Sequence, residues 1–228
     1  MEAGDSRLTI RAVIFDLDGT IADSVELFYG FACEIATDLD LPPPEREAVY
    51  ELMRTGRSNF TQLLPGDVPQ ETINAAFAAR GPQWLRRYHE DTRPIPGSVE
   101  ALRTIHKTGL MLGIATSSGR DVPFLQRWGV RSLFAAIVGR EDVVQRKPAP
   151  EVIIRCLDQM AATPSEVIYV GDSPIDIQAG KAAGVGTVGV LSGTSSRAVL
   201  AVERPDAIVQ SLIELPDLLA TSAWSRRA

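Results

Sequence analysis

The chain has the length and composition of an ordinary globular protein, with 228 residues, 45% of them hydrophobic, and a net charge of −6. It has no basic block, no apolar run of membrane-spanning length and no signal-peptide core, so nucleic acid and membrane are not expected as partners. Its cysteines, Cys33 and Cys156, lie in different halves of the chain and are expected to be reduced thiols. These features predict a cytoplasmic protein and leave monomer and homodimer open.

The first predicted element is a strand over residues 12–16 that leads directly into a pair of carboxylates. Its apolar residues are typical of a strand buried on both faces of a parallel sheet. Asp16 and Asp18 are two positions apart, so their side chains emerge on the same side of the chain, at the sheet edge where ligands bind in open α/β folds. Adjacent acids repel unless a cation or a proton joins them. The pattern predicts a functional site, with an ordinary surface turn as the alternative.

A mainly helical segment follows this strand. Between residues 24 and 93 the apolar positions recur at helical spacing, and helices are predicted from Val25 onward and over 45–54, 59–64 and 70–89. The strand pattern resumes after this segment. We therefore predict a core domain formed by residues 1–22 and 94–228, with residues 23–93 inserted as a helical domain.

The rest of the chain alternates strands with helices of about ten residues, which indicates βαβ units and a parallel sheet with helices on both faces. The predicted strands are 110–116, 134–138, 167–171, 185–191 and 207–209, and the predicted helices are 98–107, 121–128, 151–160 and 174–183. The predicted fold class is therefore α/β.

Polar residues follow the later strands at the same predicted edge of the sheet. Thr116 ends the second strand, where its hydroxyl could hold an anion or simply cap a helix. Lys147 follows the third strand and is either an anion contact or a solvated lysine. Asp176 has capping-box spacing from Ser173, so it could serve only to begin a helix. Asp172 adds a third acid, which points to a hard cation such as Mg2+.

The order and spacing of these residues resemble the four motifs of the haloacid dehalogenase superfamily. The matching residues are Asp16-Leu-Asp18-Gly-Thr20, Thr116, Lys147 and the run 171–176. The insertion lies where the phosphoglycolate phosphatase-like and β-phosphoglucomutase-like members of the superfamily carry a helical cap. This resemblance implies a Rossmann-like parallel sheet core with an inserted helical cap domain.

The resemblance also implies an activity, that of a Mg2+-dependent phosphatase acting on a small phosphomonoester. Asp16 would be the nucleophile that forms an aspartyl-phosphate, and Asp18 the general acid and base. Mg2+ would be held by Asp16, the backbone carbonyl of Asp18 and Asp172, with Asp176 in a secondary position. Thr116 and Lys147 would hold the phosphoryl oxygens. A phosphosugar mutase using the same aspartyl-phosphate and a catalytically idle binding module are the alternatives.

Further residues are expected to bind substrate, which by the resemblance would be phosphoglycolate, a sugar phosphate or a nucleoside phosphate. Gly19 and Ser117 belong to this group in the core. In the cap, Thr55, Gly56 and Arg57 occupy the place of the family's specificity loop. Gly56 would permit a tight turn, and Arg57 would hold a second anionic or hydroxylated group unless it is simply solvated.

Overall fold

The computed structural model of the protein describes residues 10–56, 63 and 68–221. The strands are β1 (Ala12–Phe15), β2 (Ala22–Asp23), β3 (Arg93–Pro94), β4 (Met111–Ala115), β5 (Phe134–Val138), β6 (Val167–Gly171), β7 (Gly186–Val190) and β8 (Ala207–Val209). The α-helices are α1 (Val25–Asp38), α2 (Arg46–Thr55), α3 (Gln70–Asp91), α4 (Ser98–Lys107), α5 (Phe124–Arg127), α6 (Glu151–Met160), α7 (Pro174–Ala182), α8 (Arg197–Val202) and α9 (Leu215–Ala220).

The core of the fold is a six-stranded sheet in the order β5-β4-β1-β6-β7-β8, with every pair of neighbouring strands parallel. β1 lies between β4 and β6, so that Val13 is level with Leu112 on one side and Ile168 on the other. All four residues of β1 are buried, which explains why this strand carries no alternation of polar and apolar residues. The carboxyl ends of β1, β4 and β6 meet at one edge of the sheet.

Helices cover both faces of this sheet with apolar side chains. Leu102 of α4 and Phe124 of α5 belong to the layer on one face, whereas Ile153 and Cys156 of α6 belong to the layer on the other. Each fully buried aliphatic side chain of this kind stabilises the fold by about 1.5–3 kcal/mol. Both cysteines are free, and burial raises the pKa of the Cys156 thiol to about 12, so this residue is a packing group.

The predicted fold class is confirmed, and the structure corrects several element boundaries. The helix predicted over 121–128 is reduced to α5, because Pro123 occupies the cap position and disfavours helical backbone in the residue before it. β2, β3, α8 and α9 were not predicted, since each of the two strands has only two residues and each of the two helices has six, less than two turns of helical periodicity. The helix predicted over 59–64 lies outside the described residues except for Leu63.

The segment between β2 and β3 forms the helices α1, α2 and α3. Because β2 pairs antiparallel with β3, the two connections between the sheet and the inserted helices run side by side. α1 packs on α3 through Phe28 and Trp84, whose ring centroids are 5.0 Å apart, and Arg87 donates to both carboxylate oxygens of Glu34 at 2.6 and 2.8 Å. The arrangement suits the predicted partition into core and cap, whose boundaries stay a prediction. Among the described helices, none is long and apolar enough to cross a bilayer.

Candidate active site

Asp16 and Lys147 form a buried ion pair at the centre of the sheet edge. Asp16 follows β1 directly and is 6% exposed, and its Oδ1 accepts a hydrogen bond of 2.6 Å from Lys147 Nζ. Lys147 Nζ also donates to Oδ1 of Asp176 at 2.7 Å. Burial disfavours the ammonium, but the two carboxylates outweigh it and raise the pKa of Lys147 above its usual value. Lys147 is therefore a fixed positive charge, and the alternative of a solvated lysine is wrong.

Three buried carboxylates surround this ammonium. Asp16, Asp172 and Asp176 each offer an oxygen, and these oxygens lie within 4.8 Å of one another. When all three acids are ionised, Lys147 balances one of their charges and leaves two uncompensated. Burial and mutual repulsion raise the pKa of Asp16 well above its usual range and that of Asp172 to about 7. A divalent cation with a preference for oxygen ligands fits both the charge and the donor atoms of this cluster.

The cluster differs in one member from the metal ligands expected from the sequence. The Asp176 carboxylate belongs to it, whereas the Asp18 carboxylate does not. Asp176 also caps α7, because its Oδ2 accepts hydrogen bonds from the backbone N–H and the hydroxyl of Ser173. Asp176 therefore both begins the helix and belongs to the acid cluster. A contact between the metal and the backbone carbonyl of Asp18 stays a prediction.

The Asp18 carboxylate is instead held by three hydroxyl groups. Ser24 Oγ and Tyr88 OH donate to its Oδ1 at 2.6 and 2.8 Å, and Ser118 Oγ donates to its Oδ2 at 2.5 Å. Burial, reinforced by the charge of Asp18, raises the pKa of Tyr88 well above its usual value, so the phenol remains an O–H donor. None of these three partners was identified from the sequence. Of the three, only Ser24 is close to Asp18 in the sequence, six residues away at the start of α1, so only its contact could have been inferred from sequence spacing.

Thr116 and Ser117 lie at the end of β4. Thr116 is buried, and its Oγ1 accepts a hydrogen bond of 3.0 Å from the backbone N–H of Ser118, so it stabilises the turn that follows the strand. Ser117 is exposed at the same turn. Both residues line the same cavity as Asp16 and Lys147. The structure thus brings these predicted residues together.

Asp172 is held in place by a residue that sequence reasoning missed. Its Oδ2 accepts hydrogen bonds from the backbone N–H of Thr194 at 2.7 Å and from the Thr194 hydroxyl at 2.9 Å. Gly19 lies against the same carboxylate with φ +80°, and a Cβ there would lie 2.8 Å from Oδ2 of Asp172. Gly19 was expected to bind substrate; the structure places it beside Asp172, outside the set of described residues that line the cavity.

A cavity of about 580 Å³ lies between the sheet edge and the inserted helices. The sheet edge contributes the charged and hydroxyl groups described above. The inserted helices contribute mainly apolar and aromatic side chains, namely Phe28, Leu52, Met53, Trp84, Leu85 and Tyr88, together with Gly56 and His89. The cavity thus has one polar wall and one apolar wall.

The predicted specificity loop is partly described. Gly56 ends α2 with φ +61°, and a Cβ there would lie 3.1 Å from the backbone oxygen of Lys147, so the tip of α2 touches the core beside the buried lysine. Thr55 donates to the carbonyl of Glu51 in its own helix at 2.8 Å and is not among the cavity-lining residues that the structure describes. Arg57 lies outside the described residues.

Residues 13–190 match the sequence profile of the haloacid dehalogenase-like hydrolases, which is more than half of the chain. The chain belongs to this family. It is 30% identical over 209 residues to a phosphoglycolate phosphatase of Pseudomonas putida, covering 89% of this chain and 77% of that protein. It is also 30% identical over 197 residues to an N-acetylmuramic acid 6-phosphate phosphatase of Pseudomonas aeruginosa, covering 82% of this chain and 84% of that protein.

Solved structures agree with this assignment. A haloacid dehalogenase-like hydrolase from Bacteroides fragilis has a TM-score of 0.81 and 25% identity, covering 91% of this chain and 100% of that one. A β-phosphoglucomutase-like protein from Bacteroides vulgatus has a TM-score of 0.75 and 24% identity, covering 97% of this chain and 93% of that one, and shares the fold. The family and branch expected from the four motifs are confirmed.

Proposed function

We propose that the protein is a Mg2+-dependent phosphatase that hydrolyses a small phosphomonoester through an aspartyl-phosphate at Asp16. Its family and its phosphatase relatives make it a phosphoric monoester hydrolase by class. The observation that carries the mechanism is the cluster of buried acids around Lys147 at the floor of the cavity. An idle binding module would have no reason to keep these charges together out of water.

Asp16 is the group suited to attack phosphorus. Lys147 holds its Oδ1 at 2.6 Å, and no described residue donates a hydrogen bond to its Oδ2. One carboxylate oxygen is thus anchored while the other can reach a phosphoryl group in the cavity. Attack forms the bond from the Asp16 oxygen to phosphorus and breaks the bond from phosphorus to the ester oxygen, which splits one difficult displacement into two steps.

The metal would be held by Asp16, Asp172 and Asp176, with the backbone carbonyl of Asp18 as a further ligand. When bound, Mg2+ would offset the two charges that Lys147 leaves uncompensated and so lower the repulsion between the carboxylates and the phosphoryl group. Thr194 supports this arrangement, because its two hydrogen bonds fix the orientation of Asp172. Such supporting contacts orient the ligands of metal sites.

Asp18 would handle the proton in both steps. In the first it donates a proton to the departing alkoxide, and in the second it takes a proton from the water that attacks the phosphorus of the aspartyl-phosphate. Lys147 and Thr116 would hold the oxygens of the transferred phosphoryl group, and such charge stabilisation supplies most of the catalysis in phosphoryl transfer. The products are inorganic phosphate and an alcohol, and Asp16 is regenerated.

The leaving group would contact the inserted helices, whose wall of the cavity is mainly apolar. No lysine or arginine among the described residues of those helices lines the cavity. The small anionic glycolate of phosphoglycolate therefore finds no described arginine or lysine partner on this wall. Arg140 of the core also lines the cavity and is available to an anionic leaving group, so phosphoglycolate, a sugar phosphate and a nucleoside phosphate all stay open as substrates. Arg57, with Thr55, Gly56 and Ser117, stays a predicted substrate contact, and Arg57 would hold a second anionic or hydroxylated group.

A phosphosugar mutase is the second candidate function. Its support is the likeness to a β-phosphoglucomutase-like protein, which at 24% identity concerns the fold alone. A mutase would return the phosphoryl group to a sugar and exclude water from the aspartyl-phosphate. Nothing in the described cavity favours that outcome over hydrolysis.

Removal of the metal tests this proposal. With Mg2+, the protein is expected to release phosphate from p-nitrophenyl phosphate and from a panel of phosphomonoesters that includes sugar phosphates and phosphoglycolate. Treatment with EDTA should lower the rate about a hundredfold or more, because a metal ion contributes several kcal/mol of charge stabilisation at such sites. Readdition of Mg2+ should restore activity. Equal rates with and without EDTA would contradict the metal assignment.

A further inference from the structure

Tyr88 connects the inserted helices to the carboxylate that would move the proton. It lies on α3 and is 3% exposed, and its hydroxyl donates to Oδ1 of Asp18 at 2.8 Å. Its ring stacks on Trp84 of the same helix, with centroids 5.2 Å apart, and meets the edge of Phe124 in the core at 5.5 Å. One side chain therefore contacts the inserted helices, the core and Asp18.

We propose that Tyr88 is a positioning residue for Asp18, through which the inserted helices orient the general acid and base. The inference rests on the proposed role of Asp18 in the phosphatase reaction. It goes beyond that role because it assigns part of the proton-transfer geometry to a residue outside the motifs that resemble the family. The described hydrogen bond of the Tyr88 hydroxyl goes to Asp18, and none joins Tyr88 to the acid cluster, so we assign its role to the orientation of Asp18.

The three hydroxyl groups on Asp18 are not equivalent. Ser24 follows β2 directly, at the N-cap of α1, and Ser118 follows β4, so each lies within three residues of a strand. Tyr88 alone reaches Asp18 from α3, 70 residues along the chain. Ser24 shares Oδ1 with Tyr88, whereas Ser118 holds Oδ2. Removal of the phenol leaves one hydroxyl on each oxygen, so Ser24 and Ser118 still hold the carboxylate, but it loses the contact that fixes its orientation relative to α3.

The consequence depends on the leaving group. A p-nitrophenolate departs without a proton, whereas an alkoxide needs one at the moment the ester bond breaks. Tyr88→Phe keeps the ring that packs on Trp84 and Phe124 and removes only the hydroxyl. For alkyl phosphates kcat/KM is expected to fall about tenfold or more, the range for a lost hydrogen bond to a charged group. For p-nitrophenyl phosphate the change is expected to stay within about twofold, since proton donation is not limiting there.

The experiment measures kcat/KM with Mg2+ over a series of phosphomonoesters from acidic aryl to weakly acidic alkyl leaving groups. Tyr50→Phe is the matched control, because Tyr50 also lies on an inserted helix and donates to a carboxylate, that of Glu26, but does not line the cavity as described. Tyr88→Phe should show a steeper dependence on leaving-group pKa than the wild type, and Tyr50→Phe should show the wild-type dependence.

Two outcomes would overturn the inference. If kcat/KM of Tyr88→Phe falls by the same factor on every ester, Tyr88 supports the fold and does not position Asp18. If kcat/KM is unchanged on every ester, the hydroxyl has no role in the reaction. A wild-type protein that hydrolyses no ester of the series would contradict the proposed phosphatase function and this inference with it. If the wild type hydrolyses the series and Tyr88→Phe gives either of the first two results, the inference fails and the proposed phosphatase function stands.

Discussion

Asp16→Asn is expected to lower kcat at least about a thousandfold on every phosphomonoester, because loss of a covalent nucleophile removes the two-step path altogether. The amide is isosteric with the carboxylate and can still accept the hydrogen bond from Lys147. It also removes one negative charge from a buried cluster in which Asp172 and Asp176 already raise the pKa of Asp16. The metal-free variant is therefore expected to unfold at no lower temperature than the wild type.

Asp158→Asn is the matched control for this substitution, since Asp158 is an exposed residue on α6 that does not line the cavity as described. It should keep wild-type activity. Substantial turnover by Asp16→Asn in the same assays would show that another group attacks phosphorus. Circular dichroism and a thermal unfolding curve for each variant separate a loss of chemistry from a loss of fold.

Lys147→Met is expected to have the second largest effect, a loss of about a hundredfold or more in kcat/KM. The substitution keeps an unbranched side chain, one heavy atom shorter, and removes the ammonium that contacts both Asp16 and Asp176. Because Lys147 would act on the phosphoryl group, the loss should be similar for p-nitrophenyl phosphate and for alkyl phosphates. This pattern is opposite to the one expected for Tyr88→Phe.

Lys107→Met is the matched control for this substitution. Lys107 lies at the end of α4 and is exposed, so Lys107→Met removes the same charge from the surface. We expect it to keep wild-type kcat/KM on all substrates. If Lys147→Met also keeps wild-type kcat/KM, the buried ammonium serves only to neutralise the acids in the fold.

The parallel sheet could be predicted because its central strands are apolar along their whole length. β5, β6 and β8 begin and end where the sequence pattern placed them, and α4 and α6 do so as well. The order of the strands could not be predicted from periodicity, because it depends on the side of the sheet to which each connection crosses. The two-residue strands β2 and β3 escaped prediction for a different reason, since they are held by pairing with each other and carry no pattern of their own.

The acids of the site could be predicted because each follows a strand whose carboxyl end lies at the same edge of the sheet. The hydrogen-bond partners of these acids could not be predicted. Tyr88 and Ser118 lie 70 and 100 residues from Asp18, and Thr194 lies 22 residues from Asp172. Only the packing of α3 and of the turns after β4 and β7 brings these hydroxyl groups to the carboxylates, and sequence spacing carries no information on such contacts.

Trapping the phosphorylated enzyme tests the central claim most directly. Asp18→Asn should still be phosphorylated by p-nitrophenyl phosphate with Mg2+, because that leaving group needs no proton, but should release phosphate slowly because no base activates water. After an acid quench, intact-mass measurement is expected to show one added phosphoryl group, located on Asp16 by peptide fragmentation and absent from the Asp16→Asn/Asp18→Asn double variant. An adduct on another residue, or phosphate release with no adduct under any quench, would contradict an aspartyl-phosphate at Asp16.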